Sequence, residues 1–216
     1  VDLNGVGNYL EALEYVLRGL RFSFIGITAT SPQMVAVRLI AERLREIAPG
    51  CPVVLGGPHV TTTVSSEKLD KNGKGSGRGI KQMRELRQLV DILVSGDGEI
   101  AIMEVMGAIA QGSAFPLLID ADDPSSSLFL SESALSKLPL PARHLIDLPS
   151  YKYAIEGRPS ANLISELGCS YNCFFCGARN SPSFRRIRAR TPESVCNELV
   201  HLHEVYGYRG FMFSDD

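Results

Sequence analysis

In the first 111 residues, segments whose apolar residues recur at helical spacing alternate with short segments that are apolar throughout, as buried strands are. Apolar residues three and four apart predict helices over residues 8–20, 32–48, 80–89 and 99–111. Short continuous apolar runs predict buried parallel strands over residues 22–28, 52–55 and 91–95. Because strands and helices alternate, we expect an α/β fold with an open, doubly wound sheet that places ligands at the carboxyl ends of its strands.

The pattern changes after residue 120, where Ser, Pro and Asp become frequent, as in a connector between domains. Beyond the connector, the sequence predicts a strand over residues 162–167, a helix over residues 192–206 capped by Thr191, and a strand that begins at Phe211. Such an order resembles the opening of a (β/α) barrel. We predict three parts. Residues 1–120 form an α/β domain that is incomplete at its N-terminus, residues 121–160 form the connector, and residues 161–216 form the start of a truncated barrel.

Charge and hydropathy exclude two classes of partner. The formal net charge of -2 provides no basic surface for nucleic acid. No apolar run approaches the roughly 18 residues of a membrane span, and the N-terminus has no signal-peptide layout, so we expect a cytoplasmic protein.

The glycine-rich segment 71–79 predicts an exposed loop. Because the chain begins at Val1 and ends at Asp216 directly after an apolar run, we expect both ends to be cut.

Three of the five cysteines, Cys169, Cys173 and Cys176, stand within eight positions. Neighbours this close cannot all pair as disulfides without strain, so their spacing favours a metal in a reducing compartment. Thiolates are the soft ligands of iron–sulfur clusters. A loop with three cysteines leaves the fourth iron of a cubane open to another ligand.

Two alternatives use the same cysteines. A zinc site would need His201 or His203 as its fourth ligand, although both histidines lie a full helix away. A ferredoxin that only transfers electrons would need a fourth cysteine. The remaining two, Cys51 and Cys196, are predicted to be core thiols.

The motif Cys169-x-x-x-Cys173-x-x-Cys176, with Phe175 before its last cysteine and a strand before its first, resembles the signature of the radical S-adenosylmethionine (SAM) superfamily. The resemblance implies a [4Fe-4S] cluster whose unique iron binds SAM, and cleavage of SAM to methionine and a 5'-deoxyadenosyl radical. It also implies an electron donor such as flavodoxin or ferredoxin. Phe175 would lie against the adenine, or would serve as a packing aromatic.

The last segment, from Phe211 to Asp216, resembles the second barrel strand of the same family, whose end contacts the SAM amino group. Asp215 and Asp216 are therefore candidate SAM ligands, since a carboxylate suits an ammonium partner. The alternative is an ordinary exposed acid. The arginines between residues 185 and 190 could meet an anion, but a solvated run is the preferred interpretation.

Glycine-rich turns follow the predicted strands of the first domain, where glycine allows a bulky ligand to approach the backbone. Together these turns resemble the cobalamin-binding domain that precedes the radical SAM barrel in a large group of enzymes. The candidate cobalamin contacts are Thr28, Ala29, Thr30, Gly56, Gly57, His59, Val60, Gly96, Gly98 and Glu99. The chain lacks the Asp-x-His-x-x-Gly motif, so we expect no protein imidazole beneath the cobalt, and His59 is more typical of a hydrogen-bonding loop residue.

The resemblance implies a cobalamin-dependent radical SAM enzyme, and the leading hypothesis is a methyltransferase that acts on an unactivated carbon of a small-molecule substrate. Two SAM molecules would serve, one as methyl donor and one as radical source. The alternatives are a cyclase or other rearranging enzyme with cobalamin, a radical SAM enzyme whose first domain is empty, and a non-catalytic iron–sulfur or zinc module. The chain by itself is not expected to be active.

Overall fold

The computed structural model describes residues 1–3, 6–113 and 116–215. The chain divides into two compact units. The first unit comprises Val1–Leu130 and Asn172–Ser183, and the second comprises Ser131–Tyr171 and Phe184–Asp216. No helix within the described residues is both long and apolar enough to cross a membrane.

The first unit alternates helices and strands, as the apolar pattern predicts. Its helices are α1 (Tyr9–Leu17), α2 (Met34–Ile47), α3 (Pro58–Lys71), α4 (Arg78–Leu89) and α5 (Gly98–Ala110). Its strands are β1 (Ile25–Thr28), β2 (Val53–Gly56), β3 (Ile92–Gly96) and β4 (Leu118–Ala121). Single 3-10 turns lie at Ser31–Gln33 before α2 and at Gly177–Asn180 in the later segment.

The four strands form one parallel sheet in the order β1-β2-β3-β4. Side chains on one face of the sheet, such as Leu55 and Leu93, pack with residues of α2, α3 and α4, and those on the other face, such as Val54 and Val94, pack with α5. Each fully buried aliphatic side chain stabilises the fold by about 1.5–3 kcal/mol. The α/β, Rossmann-like part of the prediction is confirmed, but the predicted double winding is not seen, because the described strands follow one another in chain order without the reversal that a doubly wound sheet contains.

Helix α3 and strand β4 are elements of the first unit that the apolar pattern misses, and α3 is missed because its buried face is polar. Thr61, Thr63 and Ser65 are almost entirely buried. The hydroxyls of Thr61 and Thr63 donate to the carbonyls four residues earlier, those of Gly57 and His59, at 3.1 and 2.8 Å. Since a hydroxyl that bonds to its own helix can be buried at little cost, a Thr/Ser-rich segment packs here as a core helix.

The predicted exposed loop 71–79 is confirmed for the residues between α3 and α4, but Gly79 belongs to α4 and is buried. The exposed segment is also tied to its own chain. The Asp70 carboxylate accepts hydrogen bonds from the backbone N–H groups of Gly77 at 2.8 Å and Ile80 at 3.0 Å. These bonds lower the pKa of the Asp70 carboxyl. Asp70, which lies near the end of α3, therefore accepts hydrogen bonds from N–H groups at the start of α4 that have no partner within that helix.

The second unit contains helix α8, several short helical segments and small sheets. Its strands are β5 (Ala154–Ile155), β6 (Arg158–Leu163), β7 (Glu166–Leu167), β8 (Arg188–Ala189) and β9 (Gly210–Phe213). Its helices are α6 (Glu132–Leu135) and α8 (Pro192–Tyr206), with 3-10 turns at Arg143–Leu145 and Leu148–Ser150, and α7 (Pro182–Arg185) crosses from the first unit. Thr191 caps α8 as predicted, since its side chain accepts the Ser194 N–H at 3.3 Å.

Strands β6 and β9 pair in parallel, and α8 lies between them in the chain, so they form one strand–helix–strand crossover. The predicted strand 162–167 instead begins at Arg158 and leaves the ladder after Leu163. Beyond that point, the N–H groups of Ser165 and Glu166 donate to the Asp215 side chain instead of to a neighbouring strand. The start of a (β/α) barrel over residues 161–216 stays a prediction.

The solvated-run interpretation of the arginines is wrong for Arg188 and Arg190. Arg188 is 2% exposed, and the Arg190 side chain is 11% exposed. Arg190 donates to the Glu198 carboxylate at 2.5 Å and to the Ile164 carbonyl at 2.9 Å. The sequence gives no signal for this, because Glu198, the buried partner, stands on a helix that reads as ordinary and amphipathic.

Candidate functional site

The first cysteine of the motif is held by backbone contacts inside the second unit. The Cys169 N–H donates to the Phe184 carbonyl at 3.0 Å. Gly168 before it has φ +98°, and a Cβ there would lie 2.2 Å from the Arg186 carbonyl oxygen. Only glycine fits this position, so the chain enters the motif along one defined path.

The other two cysteines belong to the first unit, since the division of the chain falls between Tyr171 and Asn172. The Cys176 N–H donates to the Cys173 carbonyl at 3.1 Å, which closes a tight turn. The rings of Phe174 and Phe175 are 88% and 89% exposed. The Arg179 guanidinium lies 5.5 Å from the centre of the Phe174 ring. Phe175 therefore presents an open aromatic face, as its predicted contact with adenine requires.

The donor set of the motif fits an iron–sulfur cluster by its chemistry. All three cysteines are free thiols and are half-buried. Across the described part of the chain, no three His, Cys, Asp or Glu side chains are gathered closely enough to hold a metal ion. The motif therefore supplies the soft thiolate ligands that such a cluster needs.

Asp122 is a residue of the site region that the sequence analysis missed. It follows β4 directly, is fully buried, and accepts hydrogen bonds from Ser181 and Ser183, which lie shortly after Cys176. The sequence offers one signal, an acidic run at residues 120–123 immediately after a strand. That run instead reads as part of a polar connector.

Asp215 lies where β9 ends, and its carboxylate is already engaged. Its Oδ1 accepts the N–H groups of Ser165 at 2.7 Å and Glu166 at 3.0 Å, and its Oδ2 accepts the Ser165 hydroxyl at 2.5 Å. A carboxylate has about four acceptor sites, so these three bonds leave room for one further donor. Asp216, the second predicted SAM ligand, lies outside the described residues.

The Asp215 contacts predict a pH-dependent stability. Partial burial acts to raise the pKa of the Asp215 carboxyl, but the hydrogen bonds from Ser165 and Glu166 outweigh it and lower that pKa. A lowered pKa in the folded state means stabilisation that is present above the unfolded value of about 3.9 and is lost as pH falls through the folded value. The difference in unfolding free energy between wild type and Asp215→Asn should therefore shrink as urea titrations move from pH 6 towards pH 3. A difference that is independent of pH would contradict this assignment.

The carboxyl ends of β1, β2 and β3 carry the predicted cobalamin contacts. Thr28 and Gly56 are direct neighbours in the sheet. Gly57 has φ +95° and ψ -175°, and a Cβ there would lie 2.6 Å from Thr28 Oγ1. The Gly96 N–H donates to Thr61 Oγ1 at 2.9 Å. At Gly57 and Gly96 the close approach is therefore made by the protein's own atoms, and the approach of a ligand to these turns stays a prediction.

The predicted contacts differ in how much surface they offer. Thr28 and Thr30 are exposed at the strand end, and so are Gly98 and Glu99, whereas Ala29 and Val60 are buried. Val60 belongs to the apolar core, so it supports the turn from behind and presents no surface to a ligand. Thr28, Ala29 and Thr30 line one end of a cavity of about 610 Å³ beside β1. The residues that line it do not include the glycines of the other two turns.

His59 is a half-buried residue at the start of α3. Its Nδ1 lies 2.9 Å from the Ser31 hydroxyl. Burial, and to a smaller degree the charge of Arg38, lower the pKa of the His59 imidazole. His59 is therefore neutral at physiological pH and ties two turns together, which agrees with the predicted hydrogen-bonding loop residue.

Replacement of Gly57 by alanine tests the turn after β2. Its backbone lies in a region that only glycine adopts without strain, so Gly57→Ala should lower the free energy of unfolding by about 1–3 kcal/mol, measured by urea titration. Gly98→Ala is the matched control, because Gly98 opens α5 and a Cβ there meets nothing within 4 Å. The control should match or slightly exceed wild type, and equal losses in both variants would refute the assignment.

The two cysteines outside the motif were predicted to be core thiols, and for Cys196 this is wrong. Cys196 is exposed on α8, which turns Val195, Glu198 and Leu202 inward instead. Cys51 is half-buried, and its thiol lies 3.7 Å from the Phe22 carbonyl oxygen. Burial raises the pKa of the Cys51 thiol.

Comparison with known proteins gives two relatives. No family model matches the chain. No solved structure matches it either. The chain is 30% identical over 199 residues to the uncharacterized methyltransferase PH0819 of Pyrococcus horikoshii, over 89% of this chain and 39% of that protein. It is 25% identical over 138 residues to the anaerobic magnesium-protoporphyrin IX monomethyl ester cyclase of Synechocystis sp., over 59% of this chain and 26% of that protein.

The chain therefore spans less than half the length of either relative. It is a distant homologue of two enzymes, one described as a methyltransferase and the other as a cyclase.

Proposed function

We propose that the chain belongs to a radical SAM enzyme that holds a [4Fe-4S] cluster on Cys169, Cys173 and Cys176, and that the enzyme is a cobalamin-dependent methyltransferase. The observation that carries the proposal is the motif itself, with three free thiols within eight residues and an exposed aromatic ring beside the last thiol. No other group of cysteines in the sequence has such spacing.

The residues of the chain have separate tasks in this proposal. The three thiolates bind iron, and the turn closed by the Cys176 N–H keeps two of them on one short loop. The open face of Phe175 receives the adenine of SAM, and the remaining acceptor site of Asp215 takes one N–H of the SAM ammonium group. When bound, the cluster supplies the electron that cleaves SAM.

Cobalamin would bind at the turns that follow β1, β2 and β3. The exposed residues Thr28 and Thr30 and the open space at Gly98 leave room for a large ligand. Among the described residues, the buried Ser95 hydroxyl directly before Gly96 has no hydrogen-bond partner, so an unsatisfied polar group lies beside that turn. His59 is engaged with Ser31, which supports a cobalt without a protein imidazole beneath it.

The β6–α8–β9 crossover supports the beginning of a (β/α) barrel as the scaffold of the cluster. The similarity to a protein described as a methyltransferase, over 89% of the chain, favours methyl transfer. The similarity to a protein described as a cyclase keeps a ring-forming reaction as the second candidate. A small-molecule substrate and an external electron donor complete the proposal.

The test is metal analysis of the full-length protein, reconstituted anaerobically with iron, sulfide and cobalamin. We expect about four irons per chain, bound cobalt, and an electron paramagnetic resonance signal that SAM perturbs. Zinc without iron would refute the cluster, and iron without cobalt would refute the cobalamin half.

The products of SAM separate the two candidate reactions. A methyltransferase that uses one SAM as methyl donor should release S-adenosylhomocysteine together with 5'-deoxyadenosine. Formation of 5'-deoxyadenosine alone would favour the cyclase. Both products can be quantified by mass spectrometry.

A further inference from the structure

We infer that Asp122 is a positioning residue that fixes the segment with Cys173 and Cys176 to the α/β sheet of the first unit. The anchoring contact stands on geometry alone, and its consequence for the cluster rests on the proposed function. Neither Asp122 nor its partners have a role in the motif resemblance.

The Asp122 carboxylate is fully buried and has four hydrogen-bond donors around it. Its Oδ1 accepts the hydroxyls of Ser181 and Ser183, both at 2.6 Å, and the Ser183 N–H at 2.8 Å. Its Oδ2 accepts the Ser65 hydroxyl at 3.2 Å. Short hydroxyl–carboxylate bonds in a buried site are strong, and a buried carboxylate is costly without them. The segment and the carboxylate therefore depend on each other.

These bonds join three elements of the first unit. Asp122 follows the last residue of β4, Ser65 lies on the buried face of α3, and both serines follow the 3-10 turn Gly177–Asn180. Within that segment, the Ser181 N–H bonds to the Ala178 carbonyl at 3.0 Å. Since Ser181 is five residues after Cys176 in the sequence, a fixed Ser181 limits how far the two cysteines can move.

The anchor also borders a turn that the proposal assigns to cobalamin. A Cβ at Gly96 would lie 2.5 Å from Asp122 N, so the two backbones touch. Thr61, which accepts the Gly96 N–H, stands four residues before Ser65 on α3. Helix α3 and the end of β4 thus hold both the turn after β3 and the segment with Cys173 and Cys176.

The test uses thiol alkylation in the metal-free, full-length protein, so that it does not depend on activity. With iodoacetamide as the probe and mass spectrometry as the readout, Asp122→Asn should raise the alkylation rates of Cys173 and Cys176 by at least about tenfold, the worth of one lost charge-assisted hydrogen bond. The rates at Cys51 and Cys196 should stay as in wild type. Ser183→Ala, which keeps the backbone bond, should give a smaller increase at the same two cysteines.

Glu67→Gln is the matched control, because Glu67 is another buried carboxylate of the first unit. It lies on α3 and pairs with Lys71 and Arg87 instead of the cysteine segment. The inference is overturned if Cys173 and Cys176 react at wild-type rates in both Asp122→Asn and Ser183→Ala. It is equally overturned if Glu67→Gln exposes them to the same extent.

A second readout connects the anchor to the cluster. In reconstituted protein, Asp122→Asn should lose iron to a chelator at least about tenfold faster than wild type and Glu67→Gln, because the two ligands leave more readily. If Asp122→Asn selectively exposes Cys173 and Cys176 but the wild-type protein binds no iron, the anchor is supported and the proposed function is refuted. Iron loss at the wild-type rate from a variant with exposed thiols would overturn the link to the cluster.

Discussion

Replacement of Cys173 by alanine is expected to abolish the intact four-iron cluster. Each thiolate of the motif would bind one iron, and the chain has no further cysteine at a matching spacing to take its place. After anaerobic reconstitution, the iron and sulfide of Cys173→Ala should fall to a small fraction of the wild-type content, and the signal that SAM perturbs should disappear. Cys169→Ala and Cys176→Ala should behave in the same way.

Cys196→Ala is the control for this series, because Cys196 is a free, exposed thiol on α8 and outside the motif. It should keep wild-type iron, sulfide and stability. Full iron and sulfide in Cys173→Ala would show that the motif does not hold the cluster, and the central assignment would then be wrong.

Replacement of Glu198 by alanine is expected to destabilise the second unit by about 3–5 kcal/mol, because it leaves two arginines without their shared counter-charge. Glu198 is 1% exposed and lies 2.7 Å from Arg143 Nη2 and 2.5 Å from Arg190 Nη1. The same arginines donate to the carbonyls of residues 162 and 164 around the end of β6, so their release should also loosen that strand. Chemical unfolding followed by circular dichroism measures the loss.

Glu204→Ala provides the comparison, since Glu204 is an exposed residue of the same helix. Its effect should stay within about 0.5 kcal/mol, as for surface positions in general. A loss below about 1 kcal/mol in Glu198→Ala would mean that the two arginines find other partners. Arg143 Nη1 is buried and has no partner among the described residues, which makes such compensation harder.

Much of the fold follows from apolar periodicity and helix signals. Strands β1 to β3 and helices α1, α2, α4 and α5 were predicted, because β2 and β3 are buried on both faces and read as continuous apolar runs, and because each of those helices repeats apolar residues at helical spacing. Helix α8 was predicted to the residue, and Thr191 and Pro192 mark its start in the sequence. Local chemistry decides these elements, and local chemistry is visible in a sequence.

Contacts between distant residues explain the misses. Helix α3 is polar in sequence, and only its packing shows that Thr61 and Thr63 are internal. The burial of Arg190 depends on Glu198, and the role of Asp122 depends on serines about sixty residues later. Burial of a charged group is decided by its partner, and nothing in the local sequence names that partner.

The contacts of Asp70 matter to anyone who engineers this protein. The segment between α3 and α4 is polar and rich in glycine, and such segments are usually chosen as insertion points for affinity tags, fluorophores or new chain termini. Its glycines, however, let the chain fold back so that Gly77 and Ile80 reach one carboxylate. An insertion there would pull those N–H groups away and remove the cap of α4, so the most linker-like stretch of the chain is a poor place to open it.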